Sequence, residues 1–220
     1  MKNVDRHIEF LINDCHIRID KYLKNTSTAT LITKHVEMHY QDPDSNFLSF
    51  QKFYFETVNN EKRYYDADFF NKFRTSYSLR GIDNITLNKY GKKKEDLLQL
   101  IREDRLSDLY SIFTEGKHYG SFFTKMVHTF NPDKYTPVDN PMREYFKLTH
   151  ESYFISMVVI SAAFLKWIYE NRDKMDELKK GTIEANRKYI QMETDNISGI
   201  KVLDMIFWSE ADNPTIKKNK

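Results

Sequence analysis

The feature that most constrains this fold is an apolar run that covers every face of a helix. Residues 153–169, YFISMVVISAAFLKWIY, are apolar almost all round at helical spacing. Other elements have to cover a helix of this kind on all sides, so we expect it to be the central core helix. Its most apolar part, residues 153–165, is too short to span a bilayer.

Helical periodicity also runs through the rest of the chain, and no pair of segments predicts a β-hairpin. The clearest case is residues 4–24, where apolar side chains recur at helical spacing. We expect further helices over residues 29–40, 97–102, 106–113, 173–180, 182–192 and 199–208, and from Asp66 or Asp68 to Gly81. Gly81 and Gly181 are expected to end helices and Ser198 to cap one. Residues 45–58 would also suit a strand, but the flanking helices favour a helix there. We therefore predict a single all-α domain of about ten helices over residues 1–212, in one or two lobes, followed by a polar tail at 213–220.

Composition limits the class of protein more than it indicates a function. The chain has 220 residues, 40% apolar and 15% aromatic, which is typical of a folded protein with a substantial core. Its single cysteine, Cys15, cannot form an internal disulfide, and the charged N-terminus has no signal-peptide pattern. We therefore expect a cytoplasmic protein with no membrane association. A net charge of +2 permits nucleic-acid binding without favouring it.

Two histidines at helical spacing raise the question of a metal site. His35 and His39 lie four residues apart, with Glu37 between them. The order HVEMH lacks the glutamate directly after the first histidine that a zinc protease helix requires, and no third ligand is evident. We expect no metal and interpret these histidines as part of an ordinary exposed helix face.

Residues 116–146, GKHYGSFFTKMVHTFNPDKYTPVDNPMREYF, form the most distinctive segment. Gly116 and Gly120 bound a turn, and Ser121 is placed to cap the helix that follows. That helix should end at Asn-Pro, residues 131–132, because the residue before a proline is disfavoured in the α region. A turn, a helix and a loop are therefore expected before the next helix.

The second helix of this segment begins with a strong cap signal. Asp139 sits where an N-cap belongs, with Pro141 in the first turn. This arrangement would place Lys125, in the helix before the loop, close to Asp139. The two residues could form a chemical pair. Equally, Asp139 could be only a cap and Lys125 could extend to the surface, and the residues alone leave both readings open.

A resemblance to a known family rests on this segment. TKMVHTFNPDKYTPVDNPMREYF is similar to the active-site segment of helix-hairpin-helix DNA glycosylases, in particular the 8-oxoguanine glycosylase-like branch. The matching residues are Thr124 and Lys125, then Pro137, Val138 and Asp139, then Met142 and Arg143. Residues 203–208, LDMIFW, also resemble the closing helix of small bacterial members. The chain departs from the pattern in its turn, GKHYG, in the short interval between Lys125 and Asp139, and in lacking cysteines for an iron–sulfur cluster.

The resemblance implies a glycosylase-like fold and a specific chemistry. Lys125 would attack the sugar carbon of a damaged nucleotide, and the Asp139 carboxylate would stabilise the positive charge that develops on the sugar. The flipped base of a DNA duplex would enter an aromatic pocket, without a cofactor or metal. The implied nucleic-acid contacts are Lys92, Lys93, Lys94, Lys117, His118, Gly120, Ser121 and Arg143.

Plainer interpretations exist for the same residues. The run Lys92–Lys94 could be solvated surface, and His118 and His128 could be exposed or simple hydrogen-bonding groups. Three functions remain open from the sequence: a DNA glycosylase that could also have lyase activity, a nucleic-acid-binding module that does not cut, and a helical protein-interaction domain. The near-neutral charge favours the last of these.

Overall fold

Helices make up the regular structure in residues 2–42, 46–79, 81–115, 119–192 and 194–212, which are the residues that the computed structural model describes. The predicted all-α fold is confirmed there, with no strand. The helices are α1 (Lys2–Lys24), α2 (Thr28–Ile32), α3 (Met38–Gln41), α4 (Phe47–Asn59), α5 (Phe69–Ser76), α6 (Asn84–Gly91), α7 (Lys94–Arg102), α8 (Leu106–Thr114), α9 (Gly120–Phe130), α10 (Asn140–Tyr145), α11 (Tyr153–Glu170), α12 (Arg172–Tyr189) and α13 (Gly199–Asp212). A π-helical segment, Thr33–Glu37, joins α2 to α3, and a 3₁₀ helix, Glu61–Tyr65, precedes α5.

Helix α11 lies in the core and packs against α1, α9, α12 and α13. Ile160, Phe164 and Trp167 are completely buried. Among the described helices, α11 alone is long and apolar enough to cross a membrane by length and composition. Its packing is that of a core helix, although Leu165 and Tyr169 are exposed near its C-terminus.

Local capping signals determine where several helices begin. Asp139 caps α10 by accepting a hydrogen bond from the Met142 N–H at 3.1 Å, as predicted. The Ser198 hydroxyl accepts from the Lys201 N–H at 2.9 Å at the start of α13, also as predicted. A side-chain acceptor at an N-cap satisfies a backbone N–H that has no partner within the helix.

Three other predicted helix boundaries are wrong. Ser121 does not cap α9, which begins one residue earlier, at Gly120. Helix α5 ends at Ser76 rather than near Gly81, because Ser78 takes the left-handed conformation (φ 49°) that closes the helix. Gly181 lies inside α12, where a Cβ would stand 2.9 Å from Ile32 Cγ1. Gly181 therefore allows α12 to approach α2 closely instead of ending a helix.

The expectation of an exposed helix face at His35 and His39 is also wrong. His35 is fully buried and His39 half-buried, and both reach Ser209 on α13, at 2.9 and 2.6 Å from its Oγ. The other ring nitrogen of His35 lies 2.6 Å from the Tyr22 hydroxyl, which donates to Glu210. Burial lowers the pKa of His35 to about 4, so this histidine is neutral at pH 7.

Candidate functional site

A cavity of about 620 Å³, called the main cavity below, lies where α4, α5, α9, α10 and α13 meet. Its apolar lining includes Phe47, Phe50, Tyr77, Leu79, Tyr153 and Trp208. Its polar lining includes Gln51, Ser76, Ser121, Lys125, Asp139, Asn140 and Asp204. Lys125 and Asp139 therefore line one cavity, and Ser121 lies beside them.

The loop between α9 and α10 brings Asp139 to this cavity. The His128 Nδ1–H donates to the Tyr135 carbonyl at 2.7 Å, which ties the loop to α9. The Thr136 N–H donates to the Ser161 Oγ at 2.8 Å, which ties it to α11. The loop is therefore fixed to two core helices, and the position of Asp139 follows from them.

Lys125 combines burial with the lack of a close counter-ion. Burial lowers its pKa from the ordinary value, while the Asp139 and Asp204 carboxylates act in the opposite direction. Within the described part of the chain Lys125 forms no ion pair, and its Nζ lies 5.6 Å from the centre of the Tyr77 ring. A lysine with a lowered pKa is available in its neutral, nucleophilic form more often than an exposed one.

Asp204 is a second carboxylate in the main cavity that the sequence analysis did not identify. It lies on α13 and pairs with Lys201 at 2.9 Å, and both side chains are buried. Burial raises the pKa of Asp204, and the Lys201 ammonium opposes this. Two charged residues three positions apart in the apolar run GIKVLDMIFW were the available signal.

Gln51 also lines the main cavity, and the sequence analysis did not identify it. Its side chain is completely buried, and neither its Oε1 nor its Nε2 has a hydrogen-bond partner among the residues that the structure describes. Phe50 and Tyr77 meet edge to face nearby, with ring centres 4.6 Å apart. A buried amide without partners is costly, so a ligand able to hydrogen-bond with it would bind favourably. One glutamine within the aromatic stripe FLSFQKFYF was the signal.

The other predicted contact residues that the structure describes do not line this cavity. Lys92, Lys93 and Lys94 do not line it, and Lys94 is the first residue of α7. The Lys94 ammonium donates to the Asp66 carbonyl at 2.5 Å and sits over aromatic rings. Lys117 and His118 fall outside the described residues.

Gly120 and Arg143 have structural contacts that explain their presence. The Tyr153 ring packs directly against the Gly120 backbone. Arg143 donates to the Thr149 and Glu151 carbonyls and stacks over the Tyr153 ring at 4.4 Å. These contacts hold the turn between α10 and α11 in place beside the main cavity.

A second cavity of about 510 Å³ lies on the other side of Pro141, which lines both cavities. Arg18, Lys21 and Lys147 line it, together with Glu144 and two tyrosines, Tyr22 and Tyr145. Arg18 is already paired with Asp14 at 2.8 Å, so the cations available to an anionic occupant are Lys21 and Lys147.

Comparison with known proteins assigns no family to this chain. No protein-family model, curated protein or solved structure matches it. The described residues also contain no group of three or more potential metal ligands. The chemistry of the site therefore has to be argued from its own residues.

Proposed function

We propose that this protein is a base-excision DNA glycosylase in which Lys125 is the nucleophile and Asp139 the stabilising carboxylate. The observation that supports the proposal is that both residues line one cavity, in which the amine has a lowered pKa and no close counter-ion. An amine of this kind and a fixed carboxylate are two groups that together can cleave a base–sugar bond.

The reaction proceeds from the neutral form of Lys125. The Nζ lone pair forms a bond to C1′ of the sugar while the bond from C1′ to the base breaks. The base leaves with that electron pair and takes up a proton, and the amine loses its own proton as the sugar ring opens to an imine. Asp139 stabilises the positive charge on the sugar during bond breaking. Water then hydrolyses the imine, which leaves an abasic sugar and free Lys125.

The dimensions and lining of the main cavity suit a single extruded base. Ligand pockets commonly have volumes of about 300–1,000 Å³ and combine apolar walls with a few polar groups. Phe47 and Trp208 stack with ring centres 5.8 Å apart, and Phe50 and Tyr77 add further aromatic surface. A flipped base binds between aromatic faces and reads polar groups at its edge, and Ser121 and Asn140 in the cavity lining offer such groups.

The second cavity offers the cations that a DNA strand needs. Lys21 and Lys147 are exposed at its surface, and Pro141 separates them from the main cavity. A strand whose base occupies the main cavity would place a neighbouring phosphate near these cations. Phosphate contacts provide most of the affinity of such complexes and little of their sequence preference.

The decisive experiment is borohydride trapping on duplexes that carry an abasic site or one of a panel of damaged bases. We expect a covalent protein–DNA adduct with at least one of these duplexes, because borohydride reduces the imine to a stable amine. Lys125→Ala should abolish the adduct and retain DNA binding. Lys166→Ala, which removes an exposed lysine bound to Asn13, is the matched control and should form adduct normally.

Other outcomes would assign the protein differently. DNA binding without an adduct or base release on any substrate would indicate a nucleic-acid-binding module. Absence of DNA binding at low salt would reject both roles and leave a protein-interaction domain. An adduct that persists in Lys125→Ala would show that another amine is the nucleophile.

A further inference from the structure

Lys125, Asp139 and Asp204 line the main cavity, and Lys201 lies buried beside it, paired with Asp204. Among these four charged residues the described part of the chain forms one close ion pair. Lys201 and Asp204 are joined at 2.9 Å, whereas Lys125 has no carboxylate within ion-pair distance among the described residues. Asp139 is engaged as the cap of α10. The pairing is therefore unequal, and it leaves Lys125 as the unpaired cation.

The position of Lys201 is fixed by its surroundings. Its side chain is completely buried, and its Nζ lies 4.9 Å from the centre of the Phe50 ring and 4.7 Å from that of Tyr54. Two aromatic faces and one carboxylate together compensate for part of the cost of burying the ammonium. Lys201 has no route to solvent, so its charge stays next to Asp204.

We propose that Lys201 is a positioning residue for Lys125: by occupying the Asp204 carboxylate, it leaves the Lys125 amine without an ion-pair partner and free to react. Without Lys201, Asp204 would be a buried carboxylate with no partner, and Lys125 is the lysine that lines the same cavity as Asp204. The two would then pair, and the amine would be held in its protonated form. This inference rests on the proposed function in one respect, because it takes Lys125 as the reacting group.

Two carboxylates and one aromatic ring face Lys125. Asp139 faces it from the start of α10, Asp204 from α13, and the Tyr77 ring from the end of α5. The Lys201 charge also acts on His128, where it adds to burial in lowering the pKa of that histidine. Asp204 is the group among these that contacts Lys201 directly, so it is the link between the two lysines.

The test measures Lys125 itself and needs no DNA. Reductive methylation with ¹³C-formaldehyde labels accessible lysine amines, and the ¹³C resonance that disappears in Lys125→Ala identifies Lys125. We expect Lys201→Met to raise the titration midpoint of this resonance by about one pH unit, which is about tenfold less neutral amine at a given pH. Lys201→Met/Asp204→Asn should bring the midpoint back towards that of the wild type, because the carboxylate that Lys125 would pair with is gone.

Two further variants keep the test decisive. Lys134→Met removes an exposed lysine that pairs with Asp104 at 2.5 Å, and it should leave the midpoint unchanged. Asp204→Asn alone should lower the midpoint, because an unmasked Lys201 charge then repels protonated Lys125. This variant tests the proposal even where Lys201→Met does not fold. An unchanged midpoint in Lys201→Met, or a raised one in Asp204→Asn, would overturn it.

The same variants separate this inference from the proposed function. In borohydride trapping, the pH at which adduct formation reaches half its maximum should shift in Lys201→Met by the amount measured in the titration. A shifted titration midpoint with no adduct in any protein would reject the glycosylase and keep the role of Lys201. Normal trapping with no shift in either measurement would reject the role of Lys201 and keep the glycosylase.

Discussion

The Thr124 hydroxyl hydrogen-bonds with both backbone groups of Val138. Its Oγ1 donates to the Val138 carbonyl at 2.9 Å and accepts from the Val138 N–H at 3.0 Å. The next residues along the chain are Lys125 and Asp139. One threonine therefore fixes the relative position of the two residues proposed to perform the chemistry.

Thr124→Val should destabilise the protein and misplace Asp139. It leaves two buried backbone groups without partners, each at a cost of about 1–3 kcal/mol, so we expect a loss of roughly 2–6 kcal/mol. Urea denaturation measures this change. Thr114→Val removes a hydroxyl that bonds only within α8 and should change stability by about 0.5 kcal/mol or less. Equal losses in the two variants would contradict this role of Thr124.

Asp139→Asn should keep the N-cap of α10 and remove the negative charge. Asparagine caps a helix about as well as aspartate, so we expect folding and DNA binding to be retained and base release to be lost. Asp139→Ala should lose base release and also about 1 kcal/mol of stability, as measured by thermal or urea unfolding. Asp83→Asn, at the cap of α6, is the control and should keep base release. Full activity in Asp139→Asn would remove Asp139 from the mechanism.

Gly120→Ala should be strongly destabilising. A Cβ there would stand 2.6 Å from Tyr153 Cγ, closer than real carbon atoms approach, so α9 and α11 would have to move apart. At Gly91 a Cβ would meet nothing within 4 Å. Gly91→Ala should be neutral or slightly stabilising. Similar melting temperatures for the two variants would show that the Tyr153 side chain moves aside at little cost in stability.

Charge reversal should distinguish two candidate phosphate sites. If the second cavity contacts the strand, Lys21→Glu/Lys147→Glu should weaken duplex binding for all sequences and reduce the slope of log Kd against log salt by about 1–2. The sequence analysis predicts the same effect for Lys92→Glu/Lys93→Glu. Whichever pair changes the slope lies on the path of the strand. No change in either pair would place the phosphate contacts on other residues.

The buried histidines should make stability sensitive to acid. The pKa of His128 is lowered to about 3, mainly by burial. The folded protein therefore keeps this histidine neutral, whereas the unfolded chain takes up a proton below about pH 6.5. Protons then favour unfolding, and the contribution of His128 to stability should fall by about 2–3 kcal/mol between pH 6.5 and about pH 4.5.

His128→Gln tests that contribution. Glutamine does not titrate and can still donate to the Tyr135 carbonyl, so the variant should lose less stability between these two pH values than the wild type does. His150→Gln, at an exposed position, should follow the wild type. Parallel curves for His128→Gln and the wild type would show that His128 does not cause the acid sensitivity.

The sequence by itself determined the helices and the local signals that start and stop them. Asp139 and Ser198 cap the helices that they were predicted to cap, and α9 ends before Pro132. These features depend on hydrogen bonds between residues three or four positions apart, which a sequence displays directly. The proximity of Lys125 and Asp139 was also accessible, because a short loop between two helices limits their separation.

Tertiary structure decided which polar groups are buried and what they contact. His35 reaches Ser209, Lys201 lies beneath Phe50 and Tyr54, and Gln51 enters a cavity formed by several helices. Each contact joins residues that are distant in the chain, so helical spacing carries no information about it. Burial of a charge or an amide depends on which elements pack over it, and only the assembled core establishes that.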